Sequence, residues 1–384
     1  MERVISTKLP LCILVGCLTA ACQAQVRVLE RLPNGAQIYA ERIADAKAIS
    51  VQLWISDRGT EEAPATNGWR HLIEHFMAKR LDLFTDENGI FLGAETGRQA
   101  MAFKFEAAPE KLSFCLEGVR RLFNPMTLTT GDIEREIHLI RHEEAGLGAA
   151  RRFSRAGWSQ VFSGSRPDPV GSFDSMATAT PAVLTKLQQR MLAGDNIVLS
   201  VCGAVEPRTV VQAIRPFLAS QLTSSELDSS PQSTANSAST ALATPQAVGS
   251  ALSVKLEGVD RGSSLARIAV GFAAAQANPG ITPIYTVSSH ESLLTLASLS
   301  PDIASQVSGL SDRQLVRGIS LLSGWLEGIG KSPSRLASFR GNLLSEGSGL
   351  SLDMVKQAAQ PIGLLELIKA KQEILAGRLL EGFR

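Results

Sequence analysis

Apolar and polar side chains alternate along several short segments in the first half of the chain. Residues 48–56 and 98–106 alternate over their whole length, which predicts half-buried β-strands. Residues 26–41 predict a hairpin, because an Asn-Gly turn separates two strand-like segments. The apolar residues 196–202 predict a further strand. These segments indicate a mainly antiparallel sheet.

Other segments carry the signals of helices. Residues 109–122 begin with Pro, and the helix that starts at Thr130 has acidic residues in its first turn. Residues 180–192 and 206–218 also predict helices. Further along, 266–272 predicts a strand, and most of 310–383 predicts helices. We therefore expect an α+β fold of two α/β lobes, each a mainly antiparallel sheet packed with helices.

Changes in composition divide the chain into four parts. Residues 220–253 are rich in Ser, Thr, Ala and Gln and contain no aromatic residue, which predicts a linker or disordered insert. The predicted parts are a signal peptide over 1–25, a first lobe over 26–219, this linker, and a second lobe over 254–384.

The N-terminus has the pattern of an export signal. Arg3 and Lys8 flank an apolar segment over 9–21, which is too short to span a bilayer. Cys17 and Cys22 each follow a sequence similar to a bacterial lipoprotein cleavage site, so a lipid anchor is one alternative and plain cleavage near residue 21 or 24 the other. Either version predicts a location in the bacterial periplasm or envelope.

The net charge bears on the kind of partner, and the cysteine positions bear on disulfide formation. The net charge is +1 with no long basic segment, which argues against nucleic acid as a partner. Outside the signal segment, Cys115 and Cys202 lie in a predicted helix and a predicted strand. We expect buried free thiols there in preference to a disulfide.

The segment His71-Leu72-Ile73-Glu74-His75 carries the strongest chemical signal. Imidazoles at i and i+4 share one face of a helix, and the Glu74 carboxylate leans over the same face. Two imidazoles can bind zinc while a carboxylate takes a proton from water. The order H-x-x-E-H is the inverzincin signature. The alternative is an amphipathic helix with surface histidines.

A zinc site needs a third protein ligand, and the helix from Thr130 offers candidates. Glu136 and Glu143 are two turns apart and share a face with Leu139 and Ile140, which this helix should bury. A buried carboxylate needs a partner such as a metal ion. We therefore favour Glu143 as the ligand and Glu136 as a supporting carboxylate. His142, paired with His138 on a more polar face, is the alternative ligand.

The sequence resembles the pitrilysin/insulinase family of zinc metallopeptidases over most of residues 26–215. The similarity lies in Leu32-Pro33-Asn34-Gly35, Gly59-Thr60-Glu61-Glu62, the His71–His75 segment, the stretch from Glu136 to Glu143, and the strand from residue 196. The resemblance implies one Zn²⁺ per chain held by His71, His75 and Glu143. It also implies that Glu74 is the general base and Glu136 supports the site.

The chain also departs from the family pattern. The spacing of 68 residues between His75 and Glu143 is short, so the loop over 81–91 should be trimmed. Gly93 stands where the family often has Asn. The second lobe matches only weakly, through residues 268–272 and 366–371, and neither Tyr39 nor Tyr285 matches the family's substrate-binding tyrosine.

These observations predict a zinc endopeptidase that cleaves unfolded or short peptides. The peptide would lie in extended form along the edge of the first sheet. In the family, two lobes enclose the peptide like a clamshell. The degenerate or truncated second lobe here suggests that a homologous partner subunit or a second copy completes this enclosure. The alternatives are a non-catalytic or partner-dependent peptide-binding subunit and, with less support, a hydrolase of another bond. Glu74 favours an enzyme, because a pure scaffold has no need for a carboxylate there.

Overall fold

The computed structural model describes residues 27–58, 60–162, 168–227 and 249–381. The predicted signal segment, with Cys17 and Cys22, lies outside these residues. So does most of the predicted linker. No helix within the described ranges is both long enough and apolar enough to cross a membrane.

Six strands form the first sheet, in the order β1-β2-β6-β3-β5-β4. The β2–β6 pair is parallel and every other pair is antiparallel. The alternating segments and the Asn-Gly hairpin of the sequence therefore form one sheet, with β4 at its edge. The strands are β1 (Arg27–Arg31), β2 (Gln37–Arg42), β3 (Ile49–Ser56), β4 (Phe91–Thr96), β5 (Ala100–Ala107) and β6 (Ile197–Gly203).

Helices cover one face of this sheet and enclose the core of the first lobe. Leu72 and Ile73 of α1 are fully buried in the same apolar cluster as Leu53 and Phe103 of the sheet. Burial of such side chains stabilises the fold by roughly 1.5–3 kcal/mol each. The helices are α1 (Trp69–Lys79), α2 (Asp82–Asn88), α3 (Leu112–Leu122), α4 (Thr130–Gly146), α5 (Ala149–Val161), α6 (Phe173–Met176), α7 (Pro181–Met191) and α8 (Pro207–Ala219).

The second lobe has a four-stranded antiparallel sheet in the order β10-β7-β9-β8. Its strands are β7 (Ser250–Leu256), β8 (Ile281–Tyr285), β9 (Ser292–Ser298) and β10 (Arg378–Glu381). Its helices are α9 (Gly262–Ala277), α10 (Ile303–Ser308), α11 (Asp312–Lys331), α12 (Pro333–Ser345), α13 (Leu352–Ala359) and α14 (Leu364–Leu375). Two mixed lobes, each a sheet packed with helices, confirm the predicted fold class.

Helix α12 of the second lobe packs on the outer face of the first sheet. A Cβ atom at Gly341 would lie 2.1 Å from the indole nitrogen of Trp54, so only glycine allows this approach. Gln52 of β3 donates to the carbonyl of Ser334 at 3.1 Å and accepts from Ser338 at 3.0 Å. The predicted half-buried strand β3 is therefore buried on both faces, because a helix from the other lobe covers its polar positions.

Helix α5 makes the reciprocal contact with the second sheet. Phe153 packs in a cluster with Ala251 of β7 and Ala297 of β9. A Cβ atom at Gly157 would lie 2.1 Å from the hydroxyl of Ser253. Each sheet is thus closed on one side by a helix that belongs to the other half of the chain.

Several sequence predictions are wrong in detail. Residues 266–272, predicted as a strand, lie within helix α9, where apolar residues are buried on every side. Residues 378–381, predicted as helical, form strand β10 because β7 offers them a pairing edge. Strand β7 also begins at Ser250, inside the segment assigned to the linker. Leu139 is 47% exposed, so α4 buries the neighbouring face with Ile137 and Ile140 instead.

The two cysteines behave as predicted. Cys115 and Cys202 are both free and buried. Burial raises the pKa of the Cys115 thiol to about 12 and that of Cys202 well above its usual value. Neither thiol lies in the group of side chains described next.

Candidate metal centre

Helix α1 is held at its N-terminus by the half-buried carboxylate of Glu62. Gly68 has φ +98°, a left-handed conformation that glycine adopts without strain, and it turns the chain into the helix. The backbone N–H groups of Gly68 and Arg70 both donate to Glu62, each at 2.9 Å. Burial raises the pKa of Glu62, while Arg70 and these two hydrogen bonds favour the carboxylate form. These two hydrogen bonds fix the first turn of α1, directly before His71.

The two histidines of α1 converge on a carboxylate from α4. Nε2 of His71 and Nε2 of His75 are 3.2 Å apart. Oε2 of Glu143 lies 3.7 Å from the first nitrogen and 3.5 Å from the second. Within the part of the chain that the structure describes, these three side chains form the one group of His, Cys, Asp or Glu residues suited to a metal ion.

The outer nitrogen of each ring has a fixed partner. Nδ1 of His71 is 3.1 Å from the carbonyl oxygen of Val170. Nδ1 of His75 is 3.3 Å from Oε2 of Glu136. Both partners can only accept, so each neutral imidazole carries its proton on Nδ1 and presents a lone pair at Nε2. Burial lowers the pKa of His71, although the bond to Val170 acts in the opposite direction, so the neutral form is favoured.

This arrangement fits a cation. The two Nε2 lone pairs and a carboxylate oxygen face one another, and no hydrogen is shared among the three acceptors. Two neutral imidazoles and one carboxylate form a donor set that suits zinc and leaves a fourth position open. The carbonyl and carboxylate behind the rings are the usual outer partners of zinc-bound histidines.

Glu74 precedes His75 on α1, and its side chain contacts edge strand β4. The hydroxyl of Thr96, at the end of edge strand β4, donates to Oε2 of Glu74 at 2.9 Å. The residue is 7% exposed. Burial raises its pKa to about 7, against the opposing effects of His75 and Thr96, and the negative charges of Glu143 and Glu95 add to the rise. A carboxyl group with a pKa near neutrality can both accept and donate a proton.

Glu136 supports the site from beneath α1. Its side chain is 3% exposed, and it contacts Lys79 at 2.5 Å as well as His75. His142, the alternative ligand, is exposed on α4 together with His138 and does not join the group. Sequence reasoning missed Lys79 and Val170. Any residue type can supply the carbonyl that Val170 supplies, so no sequence signal could have identified it.

A cavity of about 760 Å³ lies between the two lobes next to the metal group. Thr96 and Val170 of the first lobe line it, together with Tyr285 and Trp325 of the second lobe. The rings of Tyr285 and Trp325 pack edge-to-face at a centroid distance of 5.5 Å. The cavity is therefore lined by residues of both lobes, including two that contact Glu74 and His71.

Comparisons with known proteins identify the fold of the chain. No model of a protein family and no curated protein matches the sequence. Solved structures do match. A protease from Helicobacter pylori has a TM-score of 0.70 and 14% identity, over 92% of this chain and 98% of the protease. An M16-like peptidase from Alicyclobacillus acidocaldarius has a TM-score of 0.64 and 14% identity, over 92% and 96% of the two chains.

The first half of the periplasmic protease PqqL from Escherichia coli matches with a TM-score of 0.62 and 17% identity, over 92% of this chain and 90% of that half. Against complete PqqL the match has a TM-score of 0.63 and covers 91% of this chain and 46% of PqqL. The chain has the fold of an M16-like peptidase. At these identities the likeness concerns the fold alone, and the residues of the site must carry any argument about activity.

Proposed function

We propose that the protein is a zinc-dependent endopeptidase. The observation that carries the proposal is the convergence of three acceptor atoms from His71, His75 and Glu143 beside the buried carboxyl group of Glu74. These three residues would hold one Zn²⁺ ion. When bound, the ion would supply a Lewis acid that lowers the pKa of water to about 7 and polarises a carbonyl group.

The chain's own residues would then perform the proton transfers. Glu74, oriented by Thr96, accepts a proton from the attacking water and passes it to the leaving amine. Its pKa near 7 suits both steps, because the group changes protonation state with little free-energy cost. Glu136 keeps the proton of His75 on Nδ1, so that Nε2 stays free to bind.

Edge strand β4 offers a binding surface for an extended peptide. It is the last strand of the first sheet, so one side of its backbone has no strand partner among the described residues. Its end, at Thr96, contacts Glu74. A peptide paired with β4 would bring a backbone carbonyl to the metal centre while its side chains enter the interlobe cavity. This favours unfolded or short peptides as substrates.

Location and partners complete the proposal. The export pattern of residues 1–25, together with the likeness to a periplasmic protease, supports a role in the bacterial periplasm or envelope. The chain corresponds to 46% of complete PqqL, which supports a homologous partner subunit or a second copy of this chain. The same observation favours one alternative, a partner-dependent or non-catalytic peptide-binding subunit.

Hydrolysis of a quenched mixed-peptide library by residues 26–384 tests the proposal. Zinc content is measured on the same sample. Glu74→Gln is the active-site variant, and Glu134→Gln on the exposed face of α4 is the matched control. We expect about one zinc per chain, activity lost on chelation and in Glu74→Gln, and activity unchanged in Glu134→Gln. Bound zinc without activity favours the binding subunit, and the absence of bound zinc refutes the metal centre.

A further inference from the structure

The carbonyl that fixes His71 belongs to a tight turn over residues 168–171. Within this turn the N–H of Val170 donates to Oδ1 of Asp168 at 2.9 Å, and the N–H of Gly171 donates to the carbonyl of Asp168 at 3.0 Å. An aspartate that bonds the backbone two residues on stabilises a turn. The position of the Val170 carbonyl, and so the tautomer of His71, depends on the carboxylate of Asp168.

Two arginines hold this carboxylate. Nε of Arg155 donates to Oδ2 of Asp168 at 2.8 Å, and Nη2 of Arg98 lies 3.7 Å from the same oxygen. The Asp168 side chain is 4% exposed and that of Arg155 is 17% exposed. Pairs of buried opposite charges with hydrogen bonds of this kind have well-defined geometry. The guanidinium of Arg98 also stacks over Trp158, 4.4 Å from the ring centroid, which restricts its position.

Arg155 also contacts the residue that follows Glu143 on α4. Its Nη1 donates to Oε1 of Glu144 at 3.2 Å, and Glu144 follows directly after Glu143 on α4. One guanidinium therefore contacts both the turn behind His71 and the residue next to Glu143. Arg155 itself lies on α5, the helix that packs on the second sheet through Phe153 and Gly157.

We propose that Asp168 and Arg155 are positioning residues of the metal centre, through which α5 and the second lobe hold His71 and Glu143 in the geometry that binds zinc. This inference rests on the proposed metal centre. In it, the second lobe contributes to the site without supplying a ligand. Asp168 fixes the position of the Val170 carbonyl, and Arg155 fixes the carboxylate of Asp168. Removing either side chain therefore weakens the same hydrogen bond between Val170 and His71.

The test measures zinc binding by residues 26–384 without any peptide, by competition with a chromophoric chelator. The variants are Asp168→Ala and Arg155→Gln. Asp174→Ala, an exposed aspartate on α6 in the same segment, is the matched control. Removing an outer partner of a zinc-bound histidine weakens metal binding roughly 10–100-fold. We expect a weakening of this size in Asp168→Ala, a change in the same direction in Arg155→Gln, and none in Asp174→Ala.

A second readout separates positioning from a merely structural role. Cobalt substituted for zinc gives a visible absorption spectrum that reports ligand geometry, and we expect this spectrum to change in both variants but not in the control. Circular dichroism of the metal-free proteins identifies the folded variants. If Asp168→Ala does not fold, Arg155→Gln carries the test, because it leaves the bond from Val170 to Asp168 intact.

Zinc affinities within about twofold of the wild type in the folded variants, with an unchanged cobalt spectrum, would overturn the inference and leave the metal centre standing. Failure of the wild-type chain to bind zinc would instead refute the proposed metal centre on which the inference rests. The two failures are therefore distinguishable.

Discussion

Replacing Glu74 with glutamine should stabilise the metal-free protein at alkaline pH. In the folded state burial raises the pKa of this carboxyl group from 4.5 to about 7. Between these two values the folded state binds more protons than the unfolded state, so stability falls as the pH rises. The ionised side chain therefore destabilises the protein in the pH range where a general base must act.

The size of the effect follows from the two pKa values. Moving the pKa from 4.5 to about 7 corresponds to about 3 kcal/mol, at about 1.4 kcal/mol for each pH unit. The loss is nearly complete at pH 8 and below about 1 kcal/mol at pH 5, because pH 5 lies only about half a unit above the pKa of the unfolded chain. Glutamine removes this loss, and its amide oxygen can still accept the hydrogen bond from Thr96.

Urea unfolding of residues 26–384 in the presence of a chelator measures the effect. We expect Glu74→Gln to exceed the wild type by about 3 kcal/mol at pH 8 and by less than about 1 kcal/mol at pH 5. Glu134→Gln, exposed on α4, should show no pH-dependent difference. A gain in stability that is equal at both pH values, or a loss at pH 8, would refute the argument that desolvation of the Glu74 carboxylate destabilises the folded protein.

Three further predictions concern the surroundings of the site. Glu62→Ala removes the acceptor at the start of α1 and should lower the free energy of unfolding by about 1–2 kcal/mol, as measured by urea unfolding. In the same assay, Glu61→Ala, at the exposed neighbouring residue, should leave the free energy of unfolding unchanged. Gly171→Ala should lower the free energy of unfolding by more than about 1 kcal/mol, because φ is +93° and a Cβ atom would lie 2.2 Å from a backbone atom. A Cβ atom at Gly146 would meet nothing within 4 Å, so Gly146→Ala should be neutral or stabilising in the same assay. Peptidase activity should fall as Glu74 is protonated at acid pH. The midpoint of this fall in kcat/KM should lie at or below pH 7, because a bound cation favours the carboxylate form of Glu74. A midpoint above pH 7 would contradict the role of Glu74 as the base.

Local patterns predicted the parts of the structure that depend on local geometry. The spacing of His71 and His75 places two rings on one helix face whatever the rest of the chain does. The alternation in β3 and β5 likewise specifies a strand, although it could not show that α12 covers the outer face. Apart from the family resemblance, Glu143 is favoured over His142 only by the expected buried face of α4. That face is not the buried one, because the Glu143 side chain is 59% exposed.

The wrong predictions arise where tertiary packing decides the structure. The segment over 266–272 is apolar at nearly every position, and a short run of this kind does not distinguish a strand from a helix buried on all sides. Strand β7 begins in Ser- and Ala-rich sequence typical of a linker. Four residues such as Arg378–Glu381 carry too little pattern to specify a strand, and β7 supplies their register from more than 100 residues away. The sequence Asp168-Pro169-Val170-Gly171 does favour a turn, but the contacts of this turn with Arg155 and His71 come from distant parts of the chain and have no local signal.

The exchange of α5 and α12 between the two lobes has a consequence for how the protein can be divided. A chain cut in the segment after residue 227 would yield two fragments, and each would expose one sheet face that the other fragment normally covers. Neither fragment is then an autonomous folding unit, although the composition of the chain suggests a natural boundary there. The two halves should unfold in one cooperative transition, and separately produced halves should gain a fixed tertiary structure only when they are mixed.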